Sequence, residues 1–198
     1  MFSELCRHRE LLSAACNCAW QSTLEDFSKN YHTLKLAVSN LAELDVLMSL
    51  AQVSRQEGFC RPEIHDGDPG IEIKKGKHPM LSHLLSATQE LVANDTSLGL
   101  DHERCMIITG PNMGGKSSYI RQVALLVVLA QIGCYVPAER AKIGLVDAIF
   151  TRMGSKDELH RGRSTLLVEL EEASAMLRHA TQRSLTILDE LGRGTSSC

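Results

Sequence analysis

The first 57 residues contain neither glycine nor proline. These two residues are the strongest local breakers of regular structure, so their absence excludes frequent turns in this stretch. Apolar residues recur there at helical spacing, as at Leu34, Ala37, Val38 and Leu41. We predict one long α-helix, about 80 Å in length if it is continuous at 1.5 Å per residue. A bent hairpin of two helices is the alternative.

Other scarcities exclude whole classes of protein. A net charge of −3 gives no basic surface for nucleic acid. The seven cysteines form no C-x-x-C pair, and Cys16 and Cys18 are spaced wrongly for a zinc knuckle, so we expect free thiols in a reducing compartment. The longest apolar run, residues 124–136, is too short to span a bilayer, and residues 1–15 lack the apolar core of a signal peptide. We therefore expect a soluble intracellular protein without membrane contact.

Glycine and proline are concentrated between Gly58 and Gly76, which marks a domain boundary, with one short strand predicted at Ile71–Ile73. A turn is predicted at Val136–Ala138. Further along the chain, short apolar runs predict strands and longer ones predict helices. The strands are Cys105–Thr109, Ala141–Leu145, Ala148–Thr151 and Ser184–Leu188, and the helices are Ser117–Ile132 and residues 164–180. This alternation indicates an α/β domain.

Residues 110–117, Gly-Pro-Asn-Met-Gly-Gly-Lys-Ser, match G-x-x-x-x-G-K-[ST], the loop that surrounds the phosphates of ATP or GTP. Glycine is needed at Gly110 and Gly115, where a Cβ would block the anion or forbid the backbone conformation. Lys116 supplies a charge for the outer phosphates, the Ser117 hydroxyl can bind Mg²⁺, and the helix that follows adds its positive end. The predicted nucleotide-binding residues are Gly110, Pro111, Asn112, Met113, Gly114, Gly115, Lys116, Ser117 and Ser118.

Two acids, Asp189 and Glu190, follow the last predicted strand. In a phosphate-loop ATPase, an acid at the carboxyl end of the neighbouring strand holds Mg²⁺, and the next acid can activate water. We assign metal binding to Ser117 and Asp189, and catalysis to Glu190 as base together with Lys116. Two acids after an apolar run are common, so this pattern gains weight only from the phosphate loop.

Seven segments together resemble the MutS family of DNA mismatch-repair ATPases, closely from Thr109 onward and more loosely before residue 57. They are Thr109–Ser117, Tyr119–Gln122, Gln131–Gly133, Tyr135–Ala138, Ile149–Gly154, Gly162–Thr165 and Leu188–Ser196.

The resemblance implies an incomplete ABC-type P-loop NTPase domain preceded by long lever-type α-helices. Residues 1–57 are the helical arm, 58–104 the linker and start of the ATPase domain, and 105–198 the ATPase core. It further implies ATP and Mg²⁺ as cofactors, a nuclear location and a heterodimer with a MutS homologue 2-type subunit. Mismatched or looped double-stranded DNA would be bound through domains outside this chain, and ATP would act as the conformational switch.

The resemblance also implies two roles that the residues alone do not. Ser164, which is otherwise a plausible helix N-cap, would face the γ-phosphate bound by the partner subunit. Leu91 stands where the family has an aromatic residue stacked on adenine, so the stacking contribution should be smaller. The segment Ser164–Leu167 likewise departs from the usual Ser-Thr-Phe-Met.

Two alternatives remain at this point. One is an ABC-type ATPase of chromosome maintenance or recombination, although the Leu-Gly-Arg-Gly-Thr-Ser run of residues 191–196 argues against it. The other is a catalytically inactive truncated product. Since the family continues through a catalytic-site histidine and a dimerisation segment, we expect the 198-residue chain alone to bind ATP weakly, to lack turnover and to aggregate.

Overall fold

The computed structural model describes residues 2–81, 91–99, 103–153, 165–190 and 192. Three helices and eight strands are described. In chain order they are α1 (Phe2–Ser54), β1 (Phe59–Cys60), β2 (Glu63–His65), β3 (Gly70–Gly76), β4 (Asn94–Gly99), α2 (Lys116–Gln131), β5 (Val136–Pro137), β6 (Arg140–Gly144), β7 (Ile149–Met153), α3 (Thr165–His179) and β8 (Leu185–Asp189). The predicted mixture of helix and sheet is confirmed. The chain divides into two units, Met1–Ser49 and Leu50–Cys198.

Helix α1 is continuous over 53 residues, so one helix forms where a hairpin was the alternative. None of its described residues is buried. Seven large apolar or aromatic side chains on it are between 44% and 66% exposed and follow the alternating three- and four-residue spacing of a coiled-coil seam: Trp20, Leu24, Phe27, Tyr31, Leu34, Val38 and Leu41. The predicted division into arm, linker and ATPase core stays a prediction.

Among the described helices, α1 alone is long and apolar enough to cross a membrane, judged by length and composition, with a mean hydropathy of 1.3 over an 18-residue window. The sequence expectation rested on the apolar run of residues 124–136, which lies outside α1. Core helices of soluble proteins pass the same test. The expected lack of membrane contact stays a prediction.

The described residues of the second unit form three separate sheets. The largest has four strands in the order β2-β6-β3-β4, in which β2 and β6 are parallel and the other pairs are antiparallel. Strands β1 and β5 form an antiparallel pair, and β7 and β8 form a parallel pair. Parallel pairing places the carboxyl ends of β7 and β8 together, with Met153 opposite Asp189.

The hydrophobic core lies between α2 and the four-stranded sheet. Helix α2 buries one face, made of Gln122, Val123, Leu126, Val127 and Ala130, which matches a helical period. Side chains on β3 and β6 face it, and the fully buried ones are Ile73 and Ile143. Helix and sheet are in close contact here, since a Cβ at Gly76 would lie 3.2 Å from Leu126 Cδ1. The sheet therefore supports α2 along its buried face.

The predicted strand Cys105–Thr109 is wrong: these residues have no regular secondary structure and are exposed, Ile107 at 86%. A strand exists only where a neighbouring strand shares its backbone hydrogen bonds, and none of the described strands pairs with this run. Cys105, Met106 and Ile108 line the wall of a cavity beside β8. The apolar run indicated burial, but the pairing partner is not encoded locally.

The predicted turn Val136–Ala138 also needs correction. Val136 and Pro137 form β5, which pairs with Phe59 and Cys60 of β1 inside the glycine-rich segment. Proline is tolerated there because it lies in a two-stranded pair, where its missing N–H costs no interior ladder bond. The predicted strand at Ile71–Ile73 extends over all of β3. Such short pairings depend on tertiary contacts rather than on local propensity.

Asp147 fixes the start of β8. Its two carboxylate oxygens accept hydrogen bonds from Thr181 Oγ1 at 2.5 Å and from Ser184 Oγ at 2.7 Å. These two bonds hold the pKa of Asp147 below its ordinary value, because they favour the charged form. They join the loop before β7 to the loop before β8. The parallel register of β7 and β8, which places Asp189 opposite Met153, is thus supported at the amino-terminal end of the two strands.

A pH effect is expected at His78, which is 9% exposed and whose Nδ1 accepts long hydrogen bonds from the N–H groups of Met80 and Leu81. Burial, and secondarily Arg121, hold the pKa of His78 below 6.5. The folded state therefore binds this proton more weakly than the unfolded chain, and stability falls as pH drops below about 6.5. His78→Asn, whose carbonyl can still accept, should reduce this loss. Urea unfolding at pH 7.5 and 5.5 measures it.

The exposed His179 at the end of α3 provides the matched control. His179→Asn should leave the pH dependence of the unfolding free energy as it is in the wild type. An unchanged pH dependence in His78→Asn would contradict the assignment.

Candidate nucleotide site

The segment Gly110–Gly115 leads into the N-terminus of α2 as an exposed loop. Gly115 has φ +84°, a left-handed conformation that glycine adopts without strain. A Cβ at Gly114 would lie 3.0 Å from the Pro111 carbonyl oxygen. Met113 is also left-handed, with φ +65°, and its side chain is fully exposed. Gly115 thus has the backbone conformation for which the sequence pattern predicted glycine. Glycine at Gly114 lets the backbone lie close to the Pro111 carbonyl oxygen, where a Cβ would be crowded.

Lys116, the first residue of α2, folds back over this loop. Its Nζ donates to the carbonyl oxygens of Gly110 and Pro111, each at 2.8 Å. These acceptors are neutral, so a phosphate oxygen would be a stronger partner for the same ammonium group. The side chain is therefore held at the loop by bonds that a bound anion could replace.

Ser117 and Asp189, the two residues assigned to metal binding, lie together. Ser117 Oγ donates a hydrogen bond to Asp189 Oδ2 at 2.6 Å. The residues are 72 positions apart in the chain, and both side chains are partly buried. The first turn of α2 and the carboxyl end of β8 meet at this bond. It joins the phosphate-loop segment to the acidic segment.

Glu190 follows directly and changes the direction of the chain. Its φ is +50°, an uncommon conformation for a residue with a Cβ, and its side chain is exposed. Glu190 also lines a cavity of about 640 Å³ that Lys116 and Asp189 line as well. The deeper walls are apolar and include Ile71, Leu98 and Val123. Lys116, Asp189 and Glu190 therefore line one cavity, whereas Ser117 reaches this group through its hydrogen bond to Asp189 and is not among the lining residues.

Of the other predicted site residues, Leu91 is not among the residues that line this cavity, and Ser164 cannot be placed. Leu91 is half-buried and lies three residues before β4. Ser164 falls outside the described residues, as does the rest of the predicted segment up to Thr165, where α3 begins. The remaining predicted binding residue, Ser118, lies in the first turn of α2. The adenine contact and the γ-phosphate contact stay predictions.

Sequence reasoning missed two sets of contacts around the site. Tyr119 Oη bonds to Thr96 Oγ1 at 2.9 Å and donates to the Asp95 carbonyl oxygen at 3.1 Å, which ties the start of α2 to β4. Arg152 and Glu169 form a buried ion pair near the acidic segment. The only local signals were a tyrosine in the first turn of a helix and charges within amphipathic elements, both of which are common on surfaces.

Comparison with known proteins identifies the relatives of the chain. Residues 106–198 match the family MutS domain V. The DNA mismatch repair protein Msh3 of Homo sapiens is 53% identical over 189 residues, which covers 96% of this chain and 16% of that protein. Msh3 of Mus musculus is also 53% identical over 189 residues, covering 96% of this chain and 17% of the mouse protein.

A fungal relative, msh3 of Aspergillus fumigatus, is 49% identical over 191 residues, covering 96% of this chain and 17% of the fungal protein. The chain thus spans about one sixth of the length of these relatives. The family match covers the phosphate loop and the acidic segment, and the similarity to the relatives extends over nearly the whole chain. The chain therefore belongs to the MutS family.

Proposed function

We propose that this chain is the ATP-binding and ATP-hydrolysing region of a DNA mismatch-repair protein, built on an ABC-type P-loop NTPase fold. ATP acts as the conformational switch of a heterodimer with a MutS homologue 2-type subunit in the nucleus. Mismatches and insertion-deletion loops are recognised outside this chain. The relatives, which are mismatch-repair proteins by name, support the pathway.

The observation that carries the proposal is the 2.6 Å bond between Ser117 and Asp189. It brings the end of a glycine-rich loop with a lysine to the end of a strand with two acids. A phosphate group at the loop would lie against the positive end of α2, and a cation beside it would find a hydroxyl and a carboxylate. Either segment alone is common, whereas their meeting is the arrangement that phosphate-loop ATPases use, and it supports the proposal.

The residues present fit Mg²⁺. Ser117 and Asp189 offer hard oxygen ligands, and Mg²⁺ usually takes one or two protein oxygens together with phosphate and water. No cluster of three or more histidine, cysteine or acidic side chains exists in the part of the chain that the structure describes, so a site built by protein ligands alone is not expected there. When bound, the ion neutralises charge on the phosphate oxygens.

Different residues of this chain bind the phosphates and accept the proton. Lys116 exchanges the carbonyl oxygens of Gly110 and Pro111 for phosphate oxygens, which are charged and bind it more strongly. The conformation at Gly115 leaves the backbone free to approach the anion. Glu190, one residue beyond the metal ligand, accepts the proton of the attacking water. Its exposed side chain is accessible to that water.

Asp189→Asn tests the metal assignment in the complete natural protein that contains this sequence, purified with its partner. The amide keeps an oxygen near Ser117 but loses the charge that attracts a cation. We expect the Mg²⁺ concentration for half-maximal ATP hydrolysis to rise by about tenfold or more, since charged contacts contribute about 1.5–3 kcal/mol. Titration of hydrolysis with Mg²⁺ at saturating ATP measures this.

Asp147→Asn is the matched control. Like Asp189, Asp147 accepts hydrogen bonds from hydroxyl groups, here from Thr181 and Ser184, but it lies at the opposite end of β8. Its substitution should leave the Mg²⁺ requirement unchanged, whatever it does to stability. Equal Mg²⁺ requirements in the wild type and in Asp189→Asn would remove Asp189 from the site.

A further inference from the structure

A buried cluster of charge lies beside the acidic segment. Arg152 on β7 and Glu169 on α3 have side chains that are 10% and 3% exposed, and Arg152 Nη2 lies 3.2 Å from Glu169 Oε1. Arg152 Nε also lies 2.6 Å from an oxygen of Glu172, whose side chain is half exposed. That N–H is not directed at the oxygen, so the contact is an ion pair rather than a hydrogen bond.

The second carboxylate oxygen of Glu169 contacts backbone rather than Arg152. Glu169 Oε2 accepts a hydrogen bond from the backbone N–H of Gly192 at 3.0 Å. Gly192 lies two residues after Glu190 and has φ +86°. One buried carboxylate thus joins β7, through Arg152, to the turn that follows the two acids.

This contact is not explained by charge pairing. Glu172 already provides Arg152 with a second carboxylate, and an arginine facing a single oxygen of Glu169 would satisfy the pair. Glu169 Oε2 instead accepts a hydrogen bond from the backbone N–H of Gly192. The turn begins in an uncommon backbone conformation, because Glu190 is left-handed, with φ +50°, and such a conformation persists only where the surrounding structure holds it. Strand β8 supports the turn on one side and Glu169 on the other.

We propose that Glu169 is a positioning residue that holds Glu190 in place for hydrolysis. It acts through the Gly192 N–H on one side and Arg152 on the other, and it touches no reacting atom. The inference rests on the proposed function, because it assumes that Glu190 is the base. A misplaced base slows proton transfer, whereas nucleotide binding at Lys116 and Ser117 is unaffected.

The test is Glu169→Gln in the complete natural protein with its partner. Glutamine keeps the shape of the side chain but has one acceptor oxygen for two donors, Arg152 and the Gly192 N–H. We expect kcat for ATP hydrolysis to fall by about 10- to 100-fold, the range expected for a small misplacement of a reacting group. The Kd for ATP should stay within about twofold, since an interaction used only in the chemical step was removed.

Glu172→Gln is the matched control, because Glu172 shares Arg152 with Glu169, whereas its ion pair with Arg152 does not involve the turn. It should leave kcat within about twofold of the wild type. An equal loss of kcat in both variants would assign the effect to the charge of Arg152 and overturn the proposal.

Should Glu169→Gln destabilise the protein, the double variant Arg152→Leu with Glu169→Leu provides an independent test. Replacing a buried ion pair by apolar side chains of similar size often preserves or improves folding. The Gly192 N–H still lacks its acceptor in this variant. We expect a folded protein with slow hydrolysis, whereas restored hydrolysis would show that Glu169 has only a structural role.

The wild type and Glu190→Gln, measured in the same assay, separate the two claims. Wild-type protein without ATP hydrolysis contradicts the proposed function itself. Wild-type hydrolysis that depends on Glu190 but not on Glu169 contradicts only the positioning role.

Discussion

Replacing Glu190 by glutamine should slow ATP hydrolysis by about 100-fold or more, the usual contribution of a general base, while ATP and Mg²⁺ still bind. Glutamine has nearly the same shape as glutamate, so the left-handed turn at φ +50° and the neighbouring Asp189 keep their positions. It cannot accept a proton from water at neutral pH. A single-turnover measurement of ATP cleavage, made beside equilibrium binding of a fluorescent ATP analogue, separates the two effects.

A matched control for this variant is Glu139→Gln. Glu139 is also exposed, pairs with Lys75 at 2.6 Å, and lies on the segment before β6. Hydrolysis should be unchanged in it. If Glu190→Gln instead abolishes nucleotide binding while Asp189→Asn retains the metal dependence, the roles of the two acids are reversed.

The second large effect is expected at Lys116. Lys116→Ala removes the ammonium group that now holds Gly110 and Pro111 and that would move to the phosphates. The net loss is the difference between charged and neutral acceptors, so we expect ATP affinity to fall by about 10- to 100-fold. Titration with a fluorescent ATP analogue measures the change.

Lys142→Ala on β6 is the control for general charge effects, since it removes the same charge from the four-stranded sheet. Its ATP affinity should match the wild type. An unchanged affinity in Lys116→Ala would mean that the loop is a glycine turn without a nucleotide role.

The sequence predicted the parts of the site that depend on local chemistry. Glycine at Gly115, a lysine and a serine at the start of a helix, and acids at the end of a strand are each dictated by neighbouring backbone. The structure accordingly begins α2 at Lys116 and ends β8 at Asp189. These features need no knowledge of distant residues.

Features that depend on distant pairing could not be predicted in the same way. The run Cys105–Thr109 has the composition of a buried strand, yet none of the described strands pairs with it and the run is exposed. Val136 and Pro137 looked like a turn and became a strand because Phe59 and Cys60 pair with them. In each case hydrogen bonds between distant segments decided the outcome.

The support of the site was also hidden in the sequence. Glu169 resembles any acid on an amphipathic helix, and its importance appears only when Arg152 and the Gly192 N–H lie against it. These partners are 17 and 23 positions away in the chain. Ser117 and Asp189 were expected to lie together as ligands of one metal ion, but the hydrogen bond between them required the β7–β8 pair to be placed against α2.

The most direct test is an experimental structure of the complete protein with a non-hydrolysable ATP analogue and Mg²⁺, at a resolution that places side chains. The account predicts that Lys116 Nζ leaves the carbonyl oxygens of Gly110 and Pro111 for phosphate oxygens. It also predicts that the 2.6 Å bond between Ser117 and Asp189 opens to admit the ion. A nucleotide bound elsewhere, with both contacts intact, would contradict it.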